Sequence, residues 1–187
     1  MKKIKTKKHH TFNIMSEKRK NWRLEKEVVF NPEKGEIRWH NQRLIVLSAY
    51  ELPSIHQEAL KIIGPLANTE IYETCAQAVK QFFEGQIKNI EKMSEEELAK
   101  NFAEEMTNWG IGRVEIVDLD LKKGGIIRVY DGCYYSYYEN PKQPVCFITA
   151  GMLKGMLEAI TKKSVKVKEE KCMALKEPYC EFRVEIK

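Results

Sequence analysis

Arg113-Val114-Glu115-Ile116-Val117-Asp118-Leu119-Asp120-Leu121, followed by Lys123-Gly124-Gly125 and Ile126-Ile127-Arg128-Val129-Tyr130, is the stretch on which the fold turns. Side chains alternate on both sides of the glycine pair, which predicts two antiparallel strands joined as a hairpin. Upstream the apolar period is helical. Pro53 to Gly64 carries Ile55, Ala59, Ile62 and Ile63 on one side, and Gly64-Pro65 stops it. Thr69 to Lys92 repeats Ile71, Cys75, Ala78, Val79, Phe82, Phe83, Ile87 and Ile90 at helical spacing. Ser94 followed by three glutamates reads as an N-cap with an acidic first turn, so a third helix is expected from Glu95 to Asn108. Trp109-Gly110-Ile111-Gly112 ends it, and the period then drops from 3.6 to 2. Helices and strands are therefore segregated along the chain, which argues an α+β fold with an antiparallel sheet packed against helices.

Further along, Phe147 to Thr161 reads as one more helix, and Val165 to Glu170 with Cys180 to Ile186 as a closing strand pair. Tyr134 to Tyr138 is an aromatic strand or loop. Near the start, Arg23 to Phe30 and Glu36 to His40 form a hairpin around Asn31-Pro32-Glu33-Lys34-Gly35, with a third strand at Arg43 to Leu47. Gly151 and Gly155, four apart on a helix, mark close packing of that helix on the sheet.

The 187 residues suit one domain with a small appendage, and 43% hydrophobic with 10% aromatic residues is enough for a packed core. No apolar run reaches the length of a membrane span and no signal-peptide pattern opens the chain, so a cytoplasmic protein is expected. In a reducing compartment the five cysteines are ligands or buried thiols rather than disulfides. The net charge of +5 is uneven: residues 1–20 hold eight Lys and Arg against Glu17. They are read as a solvated basic arm ahead of a single domain over 21–187. The nearly neutral remainder argues against a nucleic-acid-binding domain.

Three cysteines and one glutamate stand apart. In the last strand pair, Val165, Val167 and Glu169 share one face, as do Cys180, Phe182, Val184 and Ile186. A carboxylate on an apolar face is costly unless paired or bound to metal. Cys172 lies three residues after Glu169, Cys180 returns at the next strand, and Cys146 precedes a helix. Three thiolates and a carboxylate leave a tetrahedral ion no open position, so such a site is structural. The alternative is three buried thiols with Glu169 in water at a strand end. Lys168, Lys171 or Lys176 is expected to offset the surplus negative charge. Cys75 and Cys133 pack as small apolar residues. Tyr130, Tyr134, Tyr135, Tyr137 and Tyr138 serve either a pocket or the core. His40 and His56 have no serine, cysteine or acid partner at a recognisable spacing, and no catalytic constellation is proposed.

Trp109-Gly110-Ile111-Gly112-Arg113, Pro144-Val145-Cys146-Phe147-Ile148-Thr149-Ala150-Gly151, Val165 to Cys172 and Pro178-Tyr179-Cys180-Glu181-Phe182 together resemble the 4-vinyl reductase domain family. The resemblance is strongest over 109–187 and looser from Leu44 to Gln86. Lys176-Glu177-Pro178 departs from a family pattern that often has glycine before its proline-containing turn. The resemblance implies a fold related to a subunit of the vesicle-tethering TRAPP complex, a homodimer, and a buried pocket for a small, largely apolar ligand. It further implies structural zinc, as in aromatic-sensing transcription activators, at the matching Cys146, Glu169, Cys172 and Cys180. The expected function is a stand-alone domain that binds or senses a hydrophobic or aromatic molecule. The alternatives are an enzyme or accessory factor of tetrapyrrole metabolism and a protein-interaction subunit.

Overall fold

The computed structural model describes residues 28–39, 42–84 and 93–187. The basic arm expected over 1–20, the strand start at Arg23, His40, and the last turns of the helix expected to reach Lys92 lie outside them. The chain divides between Val46 and Leu47 into two compact units. The first holds an antiparallel meander, β1 (Val28–Asn31), β2 (Glu36–Trp39) and β3 (Gln42–Leu44), in the order β1-β2-β3. Its first turn is closed by Asn31 Oδ1, which accepts the Lys34 N–H at 3.1 Å, and by Gly35 at a φ of 59°.

The second unit runs α1 (Glu51–Ile63), α2 (Leu66–Glu84), α3 (Glu95–Asn108), β4 (Arg113–Asp120), β5 (Gly124–Tyr130), α4 (Phe147–Thr161), β6 (Val165–Lys171) and β7 (Cys180–Ile186). Its four strands form one antiparallel sheet ordered β4-β5-β7-β6. The fold is thus α+β, as the change of period requires. The boundaries of α3, α4 and β7 coincide with those expected from sequence. In α3 the reason is local: Ser94 Oγ accepts the Glu97 N–H, and the Glu97 carboxylate accepts the Ser94 N–H at 2.9 Å, a reciprocal capping box. Of the strand or loop expected for the aromatic stretch, the structure has a non-strand connection with a 3-10 turn at Tyr135–Tyr137.

The isoleucine side of α1 read from the spacing is its outer side. Ile55 and Ile62 are exposed, Ile62 at 82%, while Pro53 and His56 are buried. A polar contact holds this helix. His56 Nδ1 lies 2.7 Å from Tyr138 Oη, and Nε2 lies 3.0 Å from Asn68 Oδ1.

The core lies between sheet and helices, with Ile127, Val129, Phe182 and Val184 on the strands packing with Leu153, Met156 and Leu157 of α4. The other side of α4 packs on α2. An added Cβ would stand 2.3 Å from the Tyr72 carbonyl oxygen at Gly151 and 2.1 Å from that of Ala76 at Gly155. Both glycines therefore serve a helix–helix contact, not the helix–sheet contact expected. Strand β6 lies at the sheet edge, where side chains receive two of its N–H groups. Tyr72 Oη accepts from Val167 at 2.9 Å and Glu158 Oε1 from Val165 at 3.2 Å.

Because the obstacle at Gly155 is backbone, it cannot be relieved by a rotamer change. Gly155→Ala is predicted to cost about 2–3 kcal/mol in urea unfolding; a loss below a few tenths would show that the helices have room to part.

Candidate functional site

Strand pairing brings the four sequence-selected residues together. The β6–β7 register sets Glu169 opposite Phe182, Cys172 follows the end of β6, and Cys180 opens β7. Alternation carries Glu169 to the inner face, and Cys146 reaches the same point as the N-cap of α4. One ligand atom from each of Cys146, Glu169, Cys172 and Cys180 lies within 4.8 Å of the others. All three cysteines are buried, Cys172 completely.

Cys146 Sγ is 3.8 Å from Cys172 Sγ and 3.6 Å from Cys180 Sγ. Bonds of about 2.3 Å to a tetrahedral zinc place thiolates roughly 3.8 Å apart, so the observed spacing fits a shared ion. It is too long for a disulfide bond of about 2.05 Å. Glu169 Oε2 accepts the Cys146 N–H at 2.8 Å, while Oε1 is buried without a hydrogen-bond partner among the described residues.

The electrostatics point the same way. Burial, reinforced by the charge at Cys172, pushes the Glu169 carboxyl up to about 8. Hydrogen bonds to Cys172 and Cys180, together with burial, push the Cys146 thiol far up. Hydrogen bonds from Cys146 and Cys180 hold Cys172 below the usual thiol range. Without a cation these groups share protons, because a buried cluster cannot carry several negative charges. A divalent ion removes that restriction. Backbone donors also converge, with the Val145 N–H on Cys172 and the Met173 N–H 3.4 Å from Cys180 Sγ. The amino end of α4, which has no side-chain cap, adds its partial positive charge. The lysine expectation is corrected in one case: Lys171 pairs with Glu181 at 2.9 Å.

A cavity of about 430 Å³ adjoins the cluster between α2, the start of α4 and β6. Tyr72, Pro144, Phe147, Ala150 and Val167 supply apolar walls, and Glu169 belongs to both cavity and cluster. The size lies within the usual range for small-molecule sites. Sequence reasoning passed over its helical wall because Tyr72 carries no motif and meets Ala150 only through the α2–α4 contact. The Tyr130–Tyr138 aromatics do not line it. Tyr135 and Tyr138 pack against the core, Tyr137 meets Tyr50, and Tyr130 lies against Arg113 and Tyr179. Cys75 and Cys133 are each pushed up to about 11, first by burial, so neither is a nucleophile near neutrality. His56, without a partner in the sequence, has two in the fold.

Residues 126–186 match the family model of the 4-vinyl reductase domain. An uncharacterised protein of Methanocaldococcus jannaschii is 50% identical over 42 residues, 21% of this chain and 18% of the relative. The chain spans between 18% and 54% of the length of the curated relatives it matches. Among solved structures, the phenol-responsive sensory domain of the transcription activator PoxR with phenol superposes with a TM-score of 0.76 at 18% identity, covering 88% of this chain and 87% of that one. A trafficking protein particle complex subunit 3 from Naegleria fowleri, covalently bound to palmitic acid, gives 0.55 at 17% identity over 74% and 92% of the two chains. At such identities these two likenesses establish the fold. Among the described residues no helix is long and apolar enough to cross a membrane.

His56 supplies a pH test. Burial lowers its folded pKa below the ordinary value of 6.5, against the opposing hydrogen bond to Asn68. Its contribution to stability is therefore present above 6.5 and lost as pH falls toward the folded value. His56→Gln is predicted to flatten the stability loss between pH 7 and pH 5 in denaturant titrations. It should also cost about 1–3 kcal/mol at pH 7 through unsatisfied partners. An unchanged slope would place the titration elsewhere.

Proposed function

The chain carries a 4-vinyl reductase domain, and from that premise we propose that it is a small-molecule-binding, sensor-type module whose C-terminal lobe is held by structural zinc. The observation that carries the reading is the cavity of about 430 Å³ built against the cysteine cluster. One wall of that cavity, β6, also supplies Glu169 to the cluster. The likeness to a phenol-responsive sensory domain supports a hydrophobic or aromatic guest. Cys146, Glu169, Cys172 and Cys180 would hold the zinc, which offsets part of their negative charge and leaves no position for substrate. Zinc is preferred to a bare iron because a closed set of three thiolates and one carboxylate suits it and needs no redox role.

A homodimer is part of the same proposal. Tyr50, Ile55, Ile62, Ile63 and Leu66 expose large apolar side chains on and beside α1. A second copy would cover this run.

Native protein is predicted to contain about one zinc per chain by elemental analysis, with Cys172→Ser losing it and chelation lowering the melting temperature. Intact ligands with no stoichiometric metal would remove the zinc from the proposal. Native mass spectrometry of the purified chain should show a small organic guest, or binding of added phenol-sized compounds. Ala150→Trp, which fills the cavity, should abolish either, and guest binding unaffected by that substitution would move the site elsewhere. In sedimentation, Ile62→Lys should convert dimer to monomer, whereas a wild-type chain that is monomeric throughout would end the dimer assignment.

A further inference from the structure

The charges around the cavity are unbalanced. Four charged residues line it: Glu73, Lys166, Lys168 and Glu169. Glu73 is committed to an ion pair with Lys154. Glu169 is on the inner face of β6 and belongs to the cysteine cluster. Lys166 and Lys168 lie on the alternate positions, exposed, and neither makes an ion pair within 4.0 Å among the described residues. Neither of the nearest acids, Glu170 on β6 and Glu185 on the paired strand, makes an ion pair with these lysines among the described residues. Arg183 takes up Glu170 at 2.7 Å, and Glu185 faces Lys166 in register without pairing.

A neutral donor completes the set. Tyr72 Oη already accepts the Val167 N–H at 2.9 Å, which leaves its own proton to give. The Asn68 carbonyl oxygen faces His56 Nε2, so the amide NH2 of Asn68 has no role in that bond. The apolar walls formed by Phe147, Ala150, Pro144 and Val167 sit beside these donors. Such a combination, an apolar chamber bordered by unpaired ammonium groups and hydrogen-bond donors, recognises an amphipathic anion.

Resting on the small-molecule reading above, we propose that this cavity selects an apolar carboxylate, a ring or short branched chain bearing one carboxyl group. The hydrocarbon lies against Phe147, Ala150 and Val167. The carboxylate lies at the β6 border with Lys166 and Lys168, away from the negative cysteine cluster, which would repel it.

The test compares 3-phenylpropionate with the neutral 3-phenylpropanol on the full, metal-loaded chain by ligand-observed NMR titration. The carboxylate is expected to bind about fivefold or more tighter, the scale of two partly exposed ammonium contacts, with the preference shrinking in high salt. Lys166→Met with Lys168→Met, both exposed, should remove the preference for the carboxylate over the alcohol. Equal binding of the two probes overturns the carboxylate assignment while leaving the small-molecule reading standing. A preference that survives the double substitution overturns it as well. Binding of neither probe overturns the assignment, and the wider reading then stands or falls on the native mass-spectrometric search for a guest.

Discussion

Four acidic groups from three chain segments meet in one buried spot, and much of the C-terminal lobe is arranged around making that tolerable. The β6–β7 pairing delivers Glu169 and Cys180, the connecting turn delivers Cys172, and the start of α4 delivers Cys146. Left to themselves these side chains hold each other's protons: the Glu169 carboxyl rises to about 8 and the Cys146 thiol rises far above its ordinary value. Backbone N–H groups and the end of α4 soften the penalty without removing it. A divalent ion held there would turn mutual exclusion into a clip between helix and sheet, which is why the cluster is read as architecture instead of chemistry.

The second constraint is steric. Gly151 and Gly155 let α4 approach the backbone of α2 so closely that no side chain fits between them. That approach sets Tyr72 beside β6 and Phe147, so the helix crossing and the cavity are one construction. The site depends on a polar cluster at one end of α4 and on missing side chains along it.

What the sequence made legible follows from the range of the forces involved. The capping box of α3, the hairpin of β4 and β5, and the alternation in β7 are set by neighbours a few residues apart, and they were readable. The four cluster residues were readable because a carboxylate on an apolar strand face is costly, a conflict visible without coordinates. The orientation of α1 was not. Ile55, Ile62 and Ile63 obey a helical period, but the inner side is chosen by His56 bonding to Tyr138 and Asn68, and Tyr138 lies 82 positions away. Likewise, nothing near Gly155 in sequence says that its close neighbour is Ala76. The cavity was illegible for the same reason, being made from residues that meet only after the helices pack.

The edge strand carries a consequence of its own. An unprotected edge offers its backbone to any passing strand, and its neighbour in solution can be another copy of the same sheet. Here Tyr72 and Glu158 occupy the N–H groups of Val167 and Val165, and Lys166 and Lys168 place charge beside them. An open cavity can therefore lie along the border of the sheet without inviting runaway strand annealing. The phenol of Tyr72 covers that edge as well as forming a wall.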